Sequence, residues 1–342
     1  MKQELQRKMR EVCEVNTRGT RDYGLDNIRF FLIFCVVFGH LLIRGEETVA
    51  SNFLYEIIYS FHMPAFLFLF GYNIRFSVSR IVFGFSIPYL VFQSLYIFYE
   101  CYVLNKNVIL QYTTAHWILW YLLACIYYQL MMQIYDADSK KHQMVIVCVS
   151  FALSLLIGFE KTIGDYMSLS RFFVFQPFFV LGFYCKKNDI LRKITAHKKI
   201  YSIILRIGLY GVLLSLIYLK INNMPHELLY GYVPYNGYNI TLERRATIMI
   251  ISLCWILFLF VVIKPYLYKK IPIITTIGQN TLPIYLLHGF VVKAIEEFWP
   301  ALLSTPWSIL PISCVILLVF GNKVCQKGIH YLCFGWLEKY LK

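Results

Sequence analysis

Charged residues are scarce in this chain: Asp, Glu, Lys and Arg make up 15% of its 342 residues, against about 25% in a typical soluble domain. With 58% of the chain hydrophobic and 18% aromatic, a water-soluble fold of this length could not hide its apolar surface, so a soluble class is excluded. Acids are fewest, 19 against 33 Lys and Arg, and none fall into an EF-hand or paired-carboxylate pattern. The 10 cysteines form no CxxC pair and no Cys/His zinc spacing, which predicts small packing residues and no metal site. No Walker-type or dinucleotide-type glycine loop occurs, nor any internal repeat, coiled coil or disordered interaction tail. The first 24 residues are basic and polar, without the apolar core and cleavage pattern of a signal peptide. The net charge of +14 is divided among short connections and forms no groove with interleaved aromatics, so nucleic acid is not expected as a partner.

What is present is a series of long apolar runs, roughly 25-43, 54-74, 81-104, 116-134, 144-158, 168-184, 200-219, 246-263, 279-298 and 305-322. Several reach the roughly 20 residues that cross hydrocarbon, while the fifth and sixth are short. The expected fold is therefore all-α, a multispanning membrane protein with about ten transmembrane helices and membrane lipid as its surroundings. Alternate connections and both tails carry twenty-three of the 33 Lys and Arg, against seven on the opposite side: Arg44, Lys106, Lys161, Lys220, Arg244, Arg245 and Lys293. That bias predicts an N-in, C-in arrangement. The domain plan is a cytoplasmic tail at 1-24, one membrane domain at 25-322 and a cytoplasmic tail at 323-342.

Arg29 and His40 lie on the first run, eleven positions apart. That is about three helical turns, so the two share a face at depths differing by roughly 16 Å. An ionisable residue inside a membrane helix is costly unless a bundle interior or aqueous cavity receives it, which marks both as functional candidates. Asp26, three positions before Arg29, is placed to pair with it. The structural alternative is a topology arginine and a hydrogen-bonded interfacial histidine.

Other polar residues interrupt the runs. His62 precedes Pro64, which removes a backbone donor and is expected to open the helix, so His62 is a second candidate for proton chemistry or sugar recognition. His116, with Trp117 and Trp120, begins the fourth run and reads as a carbohydrate contact or as an interfacial anchor. Arg171, at the start of the sixth, reads as an acidic-substrate contact or an anchor. Residues 220-245 form the largest outer connection, and Tyr235 lies in its Tyr230–Asn239 stretch, whose Asn-Gly and Gly/Pro placement predicts turns. Asn280, Tyr285 and His288 share a late run and are assigned a structural or cavity-lining role.

The motifs Leu25-Asp26 with Arg29, Phe38-Gly39-His40, Ser60-Phe61-His62-Met63-Pro64, Gly71-Tyr72, Gln176-Pro177-Phe178-Phe179 with Gly182-Phe183, and Gly278-Gln279-Asn280-Thr281-Leu282-Pro283-Ile284-Tyr285-Leu286-Leu287-His288 run across most of the chain. In this order they resemble the acyltransferase 3 family of multispanning membrane acyltransferases, particularly the branch similar to bacterial fucose 4-O-acetylases and surface-polysaccharide O-acetyltransferases. The stretch Asn27-Ile28-Arg29-Phe30-Phe31 departs from the small-residue pattern of many relatives but keeps the ionisable pair.

The resemblance implies transfer of acetyl from acetyl-CoA, as acyl-donor substrate, to a hydroxyl of an extracytoplasmic or lipid-linked carbohydrate, in a bacterial cytoplasmic membrane. It carries functional roles onto Arg29 and His40. His40 then acts as the base that takes the acceptor's proton, with Asp26 orienting Arg29 and with His62 or Tyr285 as oxyanion donors. Arg75, Arg80, Lys186 and Lys187 are the candidate contacts for donor phosphates, and equally positive-inside anchors. His116, Tyr235 and Arg171 are the candidate acceptor contacts. The alternative from another class is a small-molecule transporter or lipid-linked glycan flippase using the same buried polar groups without chemistry.

Overall fold

The structure, a computed structural model, describes residues 21–222, 224–235 and 239–341, with side chains as far as residue 335 at the C-terminal end. The N-terminal tail up to residue 20, and Asn223, Asn236, Gly237 and Tyr238 of the outer connection, lie outside the described residues.

The described elements are helices. In chain order they are α1 Tyr23–Leu42, α2 Val49–Asn73, α3 Ile87–Tyr102 with a π-helical lead-in at Arg80–Ser86, α4 Trp120–Tyr135 after a 3-10 turn at Trp117–Leu119, and α5 Lys140–Leu156. Next come α6 Leu169–Lys187, α7 Ile190–Ala196, α8 Lys198–Asn222, α9 His226–Tyr230 and α10 Leu242–Leu257, which continues as a π-helix through Phe258–Ile263. The chain closes with α11 Pro272–Gln279, α12 Thr281–Phe298, α13 Pro306–Phe320 and α14 Lys323–Leu341. Among the described residues seven helices are long and apolar enough to cross a membrane, or eight if α13 and the first part of α14, bent by 65°, count as one broken span. Two expected runs fall outside that set: α6 carries Arg171, Gln176 and two lysines, and α12 carries Lys293, Glu296 and Glu297.

The helix starts follow from local chemistry. Asp22 caps α1 by accepting from the Leu25 amide at 3.3 Å. A reciprocal Thr48/Ser51 capping box starts α2, with the Ser51 amide donating to Thr48 Oγ1 at 3.1 Å and the Thr48 amide to Ser51 Oγ at 2.8 Å. Proline at a first helical position, where its missing N–H costs nothing, begins α11 and α13.

The chain divides into two compact units. The first comprises the chain through Glu46, Phe76–Gln129 and Lys269 onward. There α1 packs against α11, α12 and α13. Gly278 lets α11 lie directly on the α1 backbone, because a Cβ at that position would stand 1.9 Å from the Asp26 carbonyl oxygen. A core of Phe83, Phe92, Tyr96, Leu119, Leu122 and Leu286 fills the space beside α3 and α4.

The second unit comprises Glu47–Arg75 and Leu130–Tyr268, and its main packing is α2 on α6. Two glycines make that approach reciprocal: a Cβ on Gly71 would meet Phe179 O at 2.1 Å, and one on Gly182 would meet Phe68 O at 2.0 Å. Such close backbone approach through small residues is how helices associate where no hydrophobic force drives them together. The expected opening at Pro64 does not occur, since α2 runs on through it. Proline removes the donor for the Ser60 carbonyl, and Ser252 Oγ from α10 supplies a replacement at 2.6 Å.

Candidate active site

The first unit carries two polar constellations, one toward each end of α1. At the N-terminal end Asp26, 1% exposed, accepts from Arg29 Nη1 at 2.6 Å, Arg21 Nε at 2.6 Å and Gln279 Nε2 at 3.0 Å. Asn27 beside it donates to the Lys269 carbonyl at 3.0 Å and accepts from Thr275 Oγ1 at 2.8 Å. Burying a carboxylate this deeply is costly unless its lone pairs are matched, and here two guanidinium groups and an amide match them. Asn280 is turned back on its own helix, donating to the Thr276 carbonyl at 2.7 Å.

The C-terminal end holds His40. Its ring meets Trp117 edge-on at 4.7 Å and stacks on His288 at 5.4 Å with 26° between planes. His288 is fully buried, and its Nδ1 donates to the Ile284 carbonyl at 2.8 Å. A carbonyl can only accept, so the hydrogen sits on Nδ1 and Nε2 presents a lone pair, which has no partner here. Trp117 has φ +39°, a conformation that costs a bulky residue on the order of 1–3 kcal/mol unless its surroundings enforce it. They do: His116 N donates to Gln93 Oε1 at 2.8 Å, and the cations Arg44 and Lys293 stand 5.1 Å and 5.2 Å from the indole.

Those cations are anchored in turn. Arg44 pairs with Glu296 at 3.0 Å, and Lys293 pairs with Glu100, whose other oxygen meets His116 Nε2 at 3.0 Å. The His116 ring stacks on Tyr96 at 4.9 Å. Arg44 Nε and His116 Nδ1, like His288 Nε2, are buried without a hydrogen-bond partner among the described residues. Tyr285 donates its hydroxyl to the Ile118 carbonyl at 2.6 Å. Gly289 beside His288 leaves room for the Tyr96 hydroxyl, which a Cβ there would meet at 2.3 Å.

His62 belongs to the second unit. It is 2% exposed, donates from Nδ1 to the Ile58 carbonyl at 2.8 Å and packs on Tyr59 at 4.7 Å. Arg171 in the same unit pairs with Asp165 at 2.7 Å, donates to the Tyr230 carbonyl at 3.1 Å and lies over the Tyr232 ring at 4.3 Å. Burial pushes the Asp165 carboxyl above its ordinary value, and the Arg171 charge opposes that shift. Tyr235 gives its hydroxyl to the Leu155 carbonyl at 2.7 Å and lies 4.7 Å from the Arg245 guanidinium. Burial raises its pKa as well, with Arg245 opposing.

The four basic donor candidates are divided between the units: Arg80 belongs to the first, and Arg75, Lys186 and Lys187 to the second. Lys187 is held by Asp136 at 2.6 Å and Asp138 at 2.8 Å, bonds that raise its pKa, while Lys186 lies 5.1 Å from the Tyr72 ring.

Trp117 as a neighbour of His40, Arg44 over the Trp117 ring, and the Glu100–Lys293–His116 chain are what sequence reasoning missed. Lys293, expected in an outer connection, is an 8% exposed residue inside α12. Glu100, an acid within an apolar run, was the available signal that a buried cation had to face it. Among the described residues no group of three or more His, Cys, Asp and Glu is arranged to hold a metal ion.

Residues 22–321 match the family model described as an acyltransferase domain, and the chain belongs to that family, acyltransferase 3. Comparison with curated proteins and with solved structures returns no match. Family and helices together identify a membrane-associated acyltransferase.

Proposed function

We propose that this acyltransferase moves acetyl from acetyl-CoA to a hydroxyl of an extracytoplasmic or lipid-linked glycan, with His40 as general base. The observation that carries the reading is the cluster at the C-terminal end of α1. There the His40 imidazole stands against Trp117 and His288, and three buried polar atoms have no hydrogen-bond partner among the described residues: His288 Nε2, Arg44 Nε of the guanidinium over the Trp117 ring, and His116 Nδ1 of the residue before Trp117. Buried polar groups are normally satisfied, and a site with unmatched donor and acceptor atoms beside an aromatic face suits a polyhydroxylated ligand.

The proposed ten crossings are the seven apolar helices, the bent α13–α14 pair, and α6 and α12, whose Arg171 and Lys293 are paired internally. With the N-terminus in the cytosol of a bacterial cell, Arg29 lies at the inner end of α1 and His40 toward the outer end. The anionic nucleotide of the donor is held at the basic inner side, where Arg29 and Arg80 of the first unit are its candidate contacts. Its thioester arm has to reach outward by roughly 16 Å along α1.

The acceptor oxygen attacks the thioester carbonyl while its proton passes to His40. The new C–O bond forms, the C–S bond breaks, and the departing thiolate takes the proton back from the imidazolium. Tyr285 and His62 already give their hydrogens to backbone carbonyls, so Arg44 Nε is the better-placed donor for the oxyanion in this cluster. His288, with its tautomer fixed, offers Nε2 to an acceptor hydroxyl or to the proton on His40.

The test gives isotopically labelled acetyl-CoA to membranes containing the intact chain or His40→Ala and follows label into glycan. Transfer by the intact chain and its loss in the variant, at equal membrane abundance, supports the reading. Equal labelling defeats it.

A further inference from the structure

In the second unit a groove of about 720 Å³ runs between α5, α6, α7 and the C-terminal part of α10. Its walls are apolar, with Met144, Val147, Phe151, Leu257 and Phe260 among them, and its polar lining is confined to Lys140, Gln143, Asn188, Lys193 and the Tyr184 and Cys185 side chains. Lys140 is the first residue of α5 and Phe151 is eleven positions further, so the apolar wall extends roughly 16 Å from the basic mouth.

The lysines at that mouth differ from their neighbours. Lys187 is matched by two aspartates and Lys186 by the Tyr72 ring. Lys140, by contrast, donates to the neutral amides of Asn188 and Gln143, and Asn188 Nδ2 donates to Gln143 Oε1 at 2.9 Å. Among the described residues no carboxylate stands within ion-pair distance of Lys140 or Lys193. Two ammonium groups without a carboxylate partner among the described residues, that of Lys140 held by two amides, therefore open onto an apolar trough one helix-segment long.

From this geometry we infer that the groove binds an anionic phospholipid, its phosphate at Lys140 and Lys193 and one acyl chain along the Met144–Phe151 face of α5. Attraction between basic residues near a membrane surface and anionic headgroups supplies the selectivity, and burial of the chain supplies the hold. The site is separate from the His40 cluster and does not depend on the proposed chemistry there.

The experiment reconstitutes the full chain in vesicles of equal parts phosphatidylglycerol and phosphatidylcholine, re-extracts it in mild detergent and quantifies retained lipid by native mass spectrometry. Phosphatidylglycerol is expected to be enriched, and Lys140→Gln and Lys193→Gln each to lower that enrichment roughly fivefold. Lys186→Gln, an equal loss of charge beside the groove, is expected to leave it unchanged. Met144→Trp, which fills the trough without touching the charges, is expected to reduce retention of both lipids. Equal retention of the two lipids by the intact chain overturns the inference, as does unchanged enrichment in the double lysine variant. So does displacement of phosphatidylglycerol by acetyl-CoA, which would make the mouth a contact for the soluble donor.

Discussion

The two ends of α1 are built from the same kinds of side chain and differ in completeness. Around Asp26, Arg21, Arg29 and Gln279 converge on one carboxylate. Around His40 the charged residues are also paired, Arg44 to Glu296 and Lys293 to Glu100, yet Arg44 Nε, His116 Nδ1 and His288 Nε2 are left over. A closed network fixes geometry and resists change, whereas an unsatisfied one gains free energy when a ligand supplies the missing partners. Under the proposed function, the difference puts anchoring at one end and chemistry at the other.

The sharpest way to break this comparison is His40→Ala, which is expected to lower acetyl transfer by roughly 10²–10⁴-fold at unchanged membrane abundance. Retained transfer in labelled membranes would show that the open end is not the reactive one. His288→Phe keeps a ring for stacking and removes Nε2, so a fall of roughly ten- to hundredfold in kcat is expected from the lost polar contact. A ring that only packs would leave kcat where it was.

At the closed end the expected effects are smaller on chemistry and larger on structure or binding. Gly278→Ala drives a methyl into the Asp26 carbonyl and is expected to lower folded abundance, a cost of about 1–3 kcal/mol read as a shift in thermal midpoint. Arg29→Ala leaves Asp26 with Arg21 and Gln279, so the fold is expected to persist while affinity for acetyl-CoA falls; unchanged donor binding in the folded variant would remove Arg29 from the donor site. The smallest effect is expected for Lys187→Ala, since its ammonium is already held by two exposed aspartates, and transfer is expected to stay within assay error.

Much of the first helix is legible in the sequence. The spacing of Asp26, Arg29 and His40 determines that they share a face, and the Asp26–Arg29 pair at 2.6 Å follows from i,i+3 geometry. The proline at 64 misled, because its effect depends on whether a neighbouring helix can serve the freed carbonyl, and only packing brings Ser252 there. Lys293 misled in the same way: expected in an outer connection, it lies inside α12, where it meets Glu100 of a distant helix. The segment expected as a C-terminal tail is helical over Lys323–Leu341.

By itself the sequence determined that this chain is a set of apolar helices with ionisable residues at fixed depths, because hydropathy and the 3.6-residue period act locally along the chain. Which imidazole His40 faces, which polar atoms are left unmatched around it, and which lysines open onto an apolar groove were decided by tertiary structure. Contacts such as His40 with His288 join residues 248 positions apart, and no local rule carries information over that distance. Only the packing of helix on helix, through glycines that admit a neighbouring backbone, sets it.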